Sequence, residues 1–216
     1  MSADARPVVL LTRHGETAWN RERRMQGQVD VPLSPEGEAQ AEVLATRLRG
    51  AGLARIVSSD LERAAATARA VARATGLAVT LDARLREQSL GAWEGRTFAE
   101  VVGSDPDTAA RFRARDPDAR PAGGETRGEL FARVAAALDD VAAPGTAGPV
   151  LVVAHGGVVQ ALVYRALALP IRAERRFLVP NVSLTTLLPR ADGWVLRTLS
   201  DVAHLASSPG DNFPFE

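Results

Sequence analysis

The chain has no cysteine among its 216 residues. That absence removes disulfides, thiol nucleophiles and cysteine-ligated zinc, and it leaves the redox compartment undecided. Charge of one sign is also lacking, since 26 Lys+Arg face 26 Asp+Glu. No whole-molecule field recruits nucleic acid or an anionic membrane, so any basic chemistry has to be local. No stretch approaches the roughly 18 apolar residues of a membrane span. The residues before the first apolar run carry Asp4 and Arg6 and do not read as a signal peptide. A cytoplasmic protein without nucleic-acid or membrane partners is the resulting expectation. Hydrophobic residues at 46% and charged residues at 24% suit a globular chain long enough for one full core. The sequence predicts a single domain over 1–206 and a flexible tail over 207–216.

What is present alternates between short apolar runs and helical patterns. Pro7 to Thr12 is a continuous apolar run of the buried parallel-strand kind. Ser34-Pro35-Glu36 reads as an N-cap with proline at the first helical position, and Ala41, Leu44, Ala45 and Leu48 then share one helix face. Arg55 to Ser58 is a second strand, followed by an alanine-rich helix that Asp60 is expected to cap and Gly76 to stop. Ala78 to Leu81 is a third. Thr97 with Glu100, and Thr126 with Glu129, have capping-box spacing. The first opens a helical region over Phe98 to Arg115, part of a lid insertion around 97–124. The second opens a helix to about Ala142. Pro149 to Ala154 is the most apolar strand and leads into a helix from Gly156 through Leu169. Val182 to Leu188 and Trp194 to Leu199 pair around Asp192-Gly193. Strands alternating with helices predict an α/β fold, a mostly parallel central sheet covered by helices on both faces.

Four of these strands run directly into polar clusters: Arg13-His14-Gly15-Glu16-Thr17, Ser58-Ser59-Asp60-Leu61-Glu62-Arg63, Leu85-Arg86-Glu87 and His155-Gly156-Gly157. Ligands of open α/β sheets bind at the carboxyl ends of strands, so clusters remote in sequence can converge there. Two arginines suit a phosphate monoester, each able to fork onto its oxygens. A metal site fits poorly, because arginines beside a cation repel it. Taken alone, either histidine would read as a buried structural residue. Together with Arg13, His14 is a candidate nucleophile assisted by His155, since neighbouring positive charge keeps an imidazole unprotonated. Glu87 is the candidate general acid and then general base. Trp93 reads as packing, Met25 and Phe98 as rim or core, and His204 as structural or surface.

These clusters, with Trp19-Asn20, Thr67-Ala68 and Gly91-Ala92-Trp93-Glu94-Gly95, resemble in order the motifs of the histidine phosphatase superfamily (phosphoglycerate mutase-like). The resemblance implies a phosphate ester hydrolase in which His14 is phosphorylated, Arg13, Arg63 and His155 form the phosphate pocket, and Glu87 donates the proton. It further implies Asn20, Gln26 and Gly27 at the entrance, Gly156 at the pocket, no metal or organic cofactor, and dimerisation in many members. The segment Gly91 to Gly95 resembles the hydrolytic branch, which favours a phosphatase over a mutase. A non-catalytic phospholigand-binding module is the reading from another class.

The run Arg24 to Gln28 with Asp30 resembles glucosyl-3-phosphoglycerate phosphatases, pointing to small sugar- or glycerate-type phosphate esters. Arg21, Arg23 and Arg24 on the entrance loop, and Arg111, Arg113, Arg115 and Arg120 on the lid, are candidates to meet a second anionic group. The competing reading makes them solvated faces partly cancelled by Glu22, Asp116 and Asp118.

Overall fold

A computed structural model describes residues 6–205. The tail expected over 207–216 lies outside the described residues. Six strands form one sheet: β1 (Val9–Arg13), β2 (Arg55–Ser58), β3 (Val79–Leu81), β4 (Val150–Ala154), β5 (Leu184–Arg190) and β6 (Gly193–Asp201). Their order is β3-β2-β4-β1-β5-β6. The first four run parallel; β5 returns antiparallel to β1 and β6 antiparallel to β5.

Alternation along the strands divides the core into two faces. Val9, Leu11, Val57, Val150, Val152 and Ala154 point to one face. There they pack on α6 (Arg127–Val141) and α7 (Gly156–Ala166). Ile56, Leu151 and Val153 point to the other, against α2 (Pro35–Leu48) and α3 (Glu62–Thr75). β4 is buried along its whole length because it is covered on both faces. No described helix is long and apolar enough to cross a membrane.

Local chemistry sets most of the boundaries. Ser34 caps α2 by accepting from the Gly37 amide, and Thr126 and Glu129 form the reciprocal capping box of α6. The expected helical stretch 98–115 is two helices, α4 (Phe98–Ser104) and α5 (Pro106–Arg113), divided where Pro106 disfavours helical geometry at Asp105. They close over a third small core of Met25, Leu90, Trp93, Phe98, Val101 and Ala109. Trp93 is a packing residue, edge-on to Phe112 at 5.3 Å, with its indole N–H donating to Asp105 at 3.0 Å.

Two boundaries differ from expectation. Asp60 does not cap the alanine-rich helix: α3 starts two residues later, its N-cap Leu61 offers no side-chain bond, and the Asp60 carboxylate is held by Arg86 at 2.7 Å. The exposed Glu62 amide is met instead by Asp30 Oδ1 at 2.6 Å, so the cap comes from the entrance loop. α7 ends at Ala166 rather than Leu169, with Ala168 in the left-handed region ahead of Pro170.

Candidate active site

The sheet register explains why the two histidines meet. β1 and β4 pair Arg13 with Ala154, so the next residue on each chain, His14 and His155, emerges side by side. Their ring centroids are 5.2 Å apart. On the other side of β4, Ser58 pairs with Val153, so Ser59 follows at the level of Ala154 and its Oγ reaches the His155 ring. The backbone of His14 is fixed at both ends: its amide donates to the Ala154 carbonyl at 2.9 Å, and its carbonyl accepts from Asn181 Nδ2 at 2.8 Å.

Hydrogen bonding sets the tautomers. His14 Nδ1 lies 2.6 Å from the Gly15 carbonyl, which can only accept, so Nδ1 carries the proton and Nε2 keeps its lone pair. The Arg63 Nε–H donates to His155 Nδ1 at 3.3 Å, which leaves the proton of His155 on Nε2, 2.8 Å from Ser59 Oγ. Both rings are buried. Burial is the largest influence pushing the His14 pKa well below its ordinary 6.5, followed by the Arg63 and Arg13 charges. Burial also leads for His155, followed by Arg63 and His14. The neighbouring positive charge expected from Arg13 acts in the same direction, behind desolvation and Arg63.

Arg63, in the first turn of α3, is fully buried. Its Nη1 and Nη2 donate to the Val29 and Gly27 carbonyls at 2.8 and 2.7 Å. A guanidinium has five N–H donors, so three contacts leave two for an anion. No carboxylate lies within ion-pairing distance of it among the described residues. Burial moves its pKa down to about 10, opposed by the more distant Glu87 and Asp30. Arg13 is buried as well, its Nη1 donating to the Val179 carbonyl at 2.8 Å.

Arg13, His14 and Arg63 line a cavity of about 190 Å³, together with Glu87, Asn20, Gln26, Gly27 and Gly156. His155 does not line that cavity; it sits behind, against His14 and Arg63. Asn20 closes the capping box of the short helix α1 (Ala18–Arg21) with Thr17. Glu87 accepts from the Gln88 amide and, through Oε2, from the Gly157 amide at the start of α7, each at 2.9 Å. Among the described residues no three His, Asp or Glu side chains gather as metal ligands would.

Arg24, Arg113 and Arg115 line the cavity, and Arg24 is also paired with Glu22 at 2.9 Å. Arg21 is engaged by Glu16, Arg111 by Asp116 and Arg120 by Glu129. Sequence reasoning missed Arg127 and Arg175, which also line the cavity. It also missed Arg133, whose guanidinium donates to the carbonyls of Arg84, Arg86 and Glu87 while paired with Glu125. Glu125 and Thr126 serve this clamp and the α6 cap rather than the cavity. Met25 and Phe98 are both core and cavity wall. His204 is half-buried beside α2, away from the site.

Known proteins share this fold. The profile of the histidine phosphatase superfamily (branch 1) matches residues 9–202. A probable phosphoglycerate mutase GpmB from Salmonella paratyphi B is 40% identical over 202 residues, covering 91% of this chain and 94% of that protein. Among solved structures, Bacillus stearothermophilus YhfR superposes with a TM-score of 0.85 at 33% identity, over 92% of this chain and 98% of its own. The mycobacterial glucosyl-3-phosphoglycerate phosphatase Rv2419c, in complex with VO3, gives 0.78 at 38% identity, over 91% and 99%. The chain belongs to the histidine phosphatase superfamily, branch 1, and is a phosphoryl-transfer enzyme of the phosphatase kind.

Proposed function

We propose that the protein hydrolyses small sugar- or glycerate-type phosphate monoesters through a phosphohistidine on His14. The observation that carries this reading is that an unprotonated His14 Nε2 and the buried guanidinium of Arg63, which has no carboxylate in ion-pairing distance among the described residues, line the same cavity. Arg63 and Arg13 hold the phosphoryl oxygens and offset charge as it spreads over them in the transition state. His155 is a positioning residue: it holds Arg63 by its Nε–H and shelters the nucleophile ring.

In the first step the Nε2 lone pair forms a bond to phosphorus while the ester P–O bond breaks. Glu87 gives its proton to the leaving alkoxide. In the second, Glu87 takes a proton from water as the water oxygen attacks phosphorus, the N–P bond breaks, and inorganic phosphate leaves with Glu87 protonated again. No redox partner or external acid is required.

The glycerate and sugar preference is supported by the likeness to the glucosyl-3-phosphoglycerate phosphatase and by the arginines that line the cavity. A second reading, transfer of the phosphoryl group back to a bound intermediate as in a mutase, is favoured by the relatives named probable phosphoglycerate mutase.

Phosphate release from p-nitrophenyl phosphate in the presence of chelator tests the hydrolase. Wild type is expected to turn over, and His14→Ala to lose on the order of a thousandfold or more. Full activity in His14→Ala would remove the mechanism, and no turnover by wild type would favour a binding module. Incubation with 3-phosphoglycerate, scored for 2-phosphoglycerate against free phosphate, separates the mutase reading.

A further inference from the structure

α7 carries one polar side chain that the packing around it leaves unanswered. Every residue from Val158 to Tyr164 is buried, and Val158, Val159, Ala161, Leu162 and Val163 belong to the core that covers one face of the sheet. The run holds two polar side chains. The Tyr164 hydroxyl donates to the Ala173 carbonyl at 2.9 Å. Gln160 is 3% exposed, and its Nε2 is buried with no hydrogen-bond partner in the protein. An amide buried in this way costs stability that an apolar side chain of similar shape would not. Gln160 also lines the active-site cavity, so a bound molecule can supply the missing partner.

Helix geometry fixes where that partner has to lie. Gly156, Gly157 and Gln160 all line the cavity, with Gln160 three residues beyond Gly157 and four beyond Gly156, on the same face of α7. The Gly157 amide is the group on which Glu87 Oε2 rests, at 2.9 Å. Gln160 therefore stands one helical turn, about 5 Å, from the anchor of the proposed proton donor. A second anion is a poor occupant so close to the Glu87 carboxylate. A hydroxyl both donates and accepts, as the amide does, and brings no charge.

We propose that Gln160 is a specificity-determining residue that hydrogen-bonds a hydroxyl of the leaving alcohol. The inference rests on the roles given to His14 and Glu87 above. It narrows the monoesters to those whose alcohol carries a further hydroxyl near the ester oxygen. The contact holds that alcohol against Glu87, which then protonates it as the ester bond breaks. The chain keeps an amide where a core helix would take an aliphatic side chain, giving up stability for discrimination.

Two pairs of esters test it: sn-glycerol 3-phosphate against propyl phosphate, and 3-phosphoglycerate against 3-phosphonooxypropanoate. The members of each pair differ only in hydroxyl groups. The readout is the ratio of kcat/KM within each pair, in wild type and in Gln160→Met, which keeps the length of the side chain without its amide. Differences in intrinsic reactivity within a pair are common to both proteins and cancel. Wild type is expected to favour the hydroxylated member of at least one pair by about tenfold or more, and Gln160→Met to lower that ratio by about tenfold. No preference in wild type, or a ratio unmoved by the substitution in both pairs, would overturn the proposal. Urea denaturation separates this role from a structural one. With no partner to lose, Gln160→Met should unfold at a midpoint no lower than that of wild type. A lower midpoint would show the amide to be bonded within the fold, and would also overturn the proposal. Calorimetric binding of the same four esters to His14→Ala protein gives an independent reading. If wild type hydrolysed none of them, the proposed reaction would fall, while a preference for the hydroxylated member in His14→Ala, lost on adding Gln160→Met, would still establish the contact. Equal binding of both members of each pair would reject it.

Discussion

Glu87 Oε2 sits 2.9 Å from the Gly157 amide, and the carboxylate occupies the space a Cβ of residue 157 would need. The proposed acid-base group is therefore docked on the first turn of α7, which begins with the cavity-lining Gly156. A side chain at 157 would not disturb α7, where alanine is the better helix former. It would push the carboxylate off the ester oxygen that it is proposed to protonate. Gly157→Ala is expected to lower kcat by about a hundredfold, in line with displacing a reacting group by roughly 1 Å, with thermal stability little changed. Phosphate esters with acidic leaving groups, which need less protonation, should lose less. Equal losses for p-nitrophenyl phosphate and an alkyl phosphate would argue that Glu87 is not the proton donor.

The other side of the Glu87 loop is held by Arg133. Its guanidinium donates to three carbonyls of that loop, Arg84 at 2.7 Å, Arg86 at 2.6 Å and Glu87 at 2.8 Å, and to both oxygens of Glu125. Arg133→Met keeps the stem's packing but removes every donor and leaves the Glu125 carboxylate unpaired. A loss of about 3 kcal/mol in urea denaturation is expected, at the low end for a pair that retains some solvent access. The accompanying fall in kcat should exceed any rise in KM, because Glu87 is displaced while Arg13 and Arg63, the proposed phosphate ligands, stay in place. Arg133→Lys, which supplies the charge without the fork, should recover stability better than rate.

The strands and their polar termini were legible because a buried parallel strand is a nearly uninterrupted apolar run, and the residue after it is forced to the sheet edge. The pairing of Arg13 with Ala154 then brings His14 and His155 together without any local signal linking them. Capping boxes at Thr97 and Thr126 were legible for a similar reason: both partners are three residues apart. Asp60 misled because a good capping residue can be claimed by a distant cation, here Arg86, while the cap itself arrives from Asp30. Arg127, Arg133 and Arg175 were illegible as site residues. Their positions depend on how α6 and the loop after α7 close over the sheet, and an arginine in a helix reads the same whether it faces water or a cavity.

Stability should depend on pH below about 6.5, in a window set by the buried histidines. His14 and His155 are both held well below 6.5, chiefly by burial and then by Arg63. Their folded forms refuse a proton that the unfolded chain accepts, so unfolding takes up protons once the pH drops to about 6.5. The stabilisation is complete above that value and is lost progressively as pH falls toward the folded pKa. Each histidine contributes a slope of up to about 1.4 kcal/mol per pH unit. Burial displaces His204 in the same direction, so it adds to the trend. Urea denaturation from about pH 8 to about pH 5 should show a plateau followed by this decline. His14→Asn should make the decline shallower by up to about 1.4 kcal/mol per pH unit. An unchanged slope in that variant would mean that His14 titrates normally in the folded protein.

Arg63 owes its orientation to a loop that Glu94 holds. Glu94 Oε1 accepts from the Gln28 amide at 2.9 Å and from the Leu90 amide at 3.0 Å. The residues flanking Gln28, Gly27 and Val29, supply the carbonyls on which the Arg63 guanidinium rests. Gly27 has a φ of 50° and its Cβ position is filled by the Glu94 carboxylate, so the loop cannot approach Glu94 with any other residue there. Glu94→Ala leaves two amides without their acceptor, at about 1–3 kcal/mol for each that stays buried. Slackening of the loop should then appear as weaker phosphate binding. Competitive inhibition by inorganic phosphate is expected to weaken by about tenfold in Glu94→Ala. In Glu94→Gln, which retains a carbonyl oxygen at the same place, the change should be within about threefold. Gly27→Ala should resemble Glu94→Ala, since it displaces the same carboxylate from the other side. Phosphate inhibition at the wild-type level in both Glu94→Ala and Gly27→Ala would show that Arg63 is held by His155 and α3 alone, with the loop merely covering it.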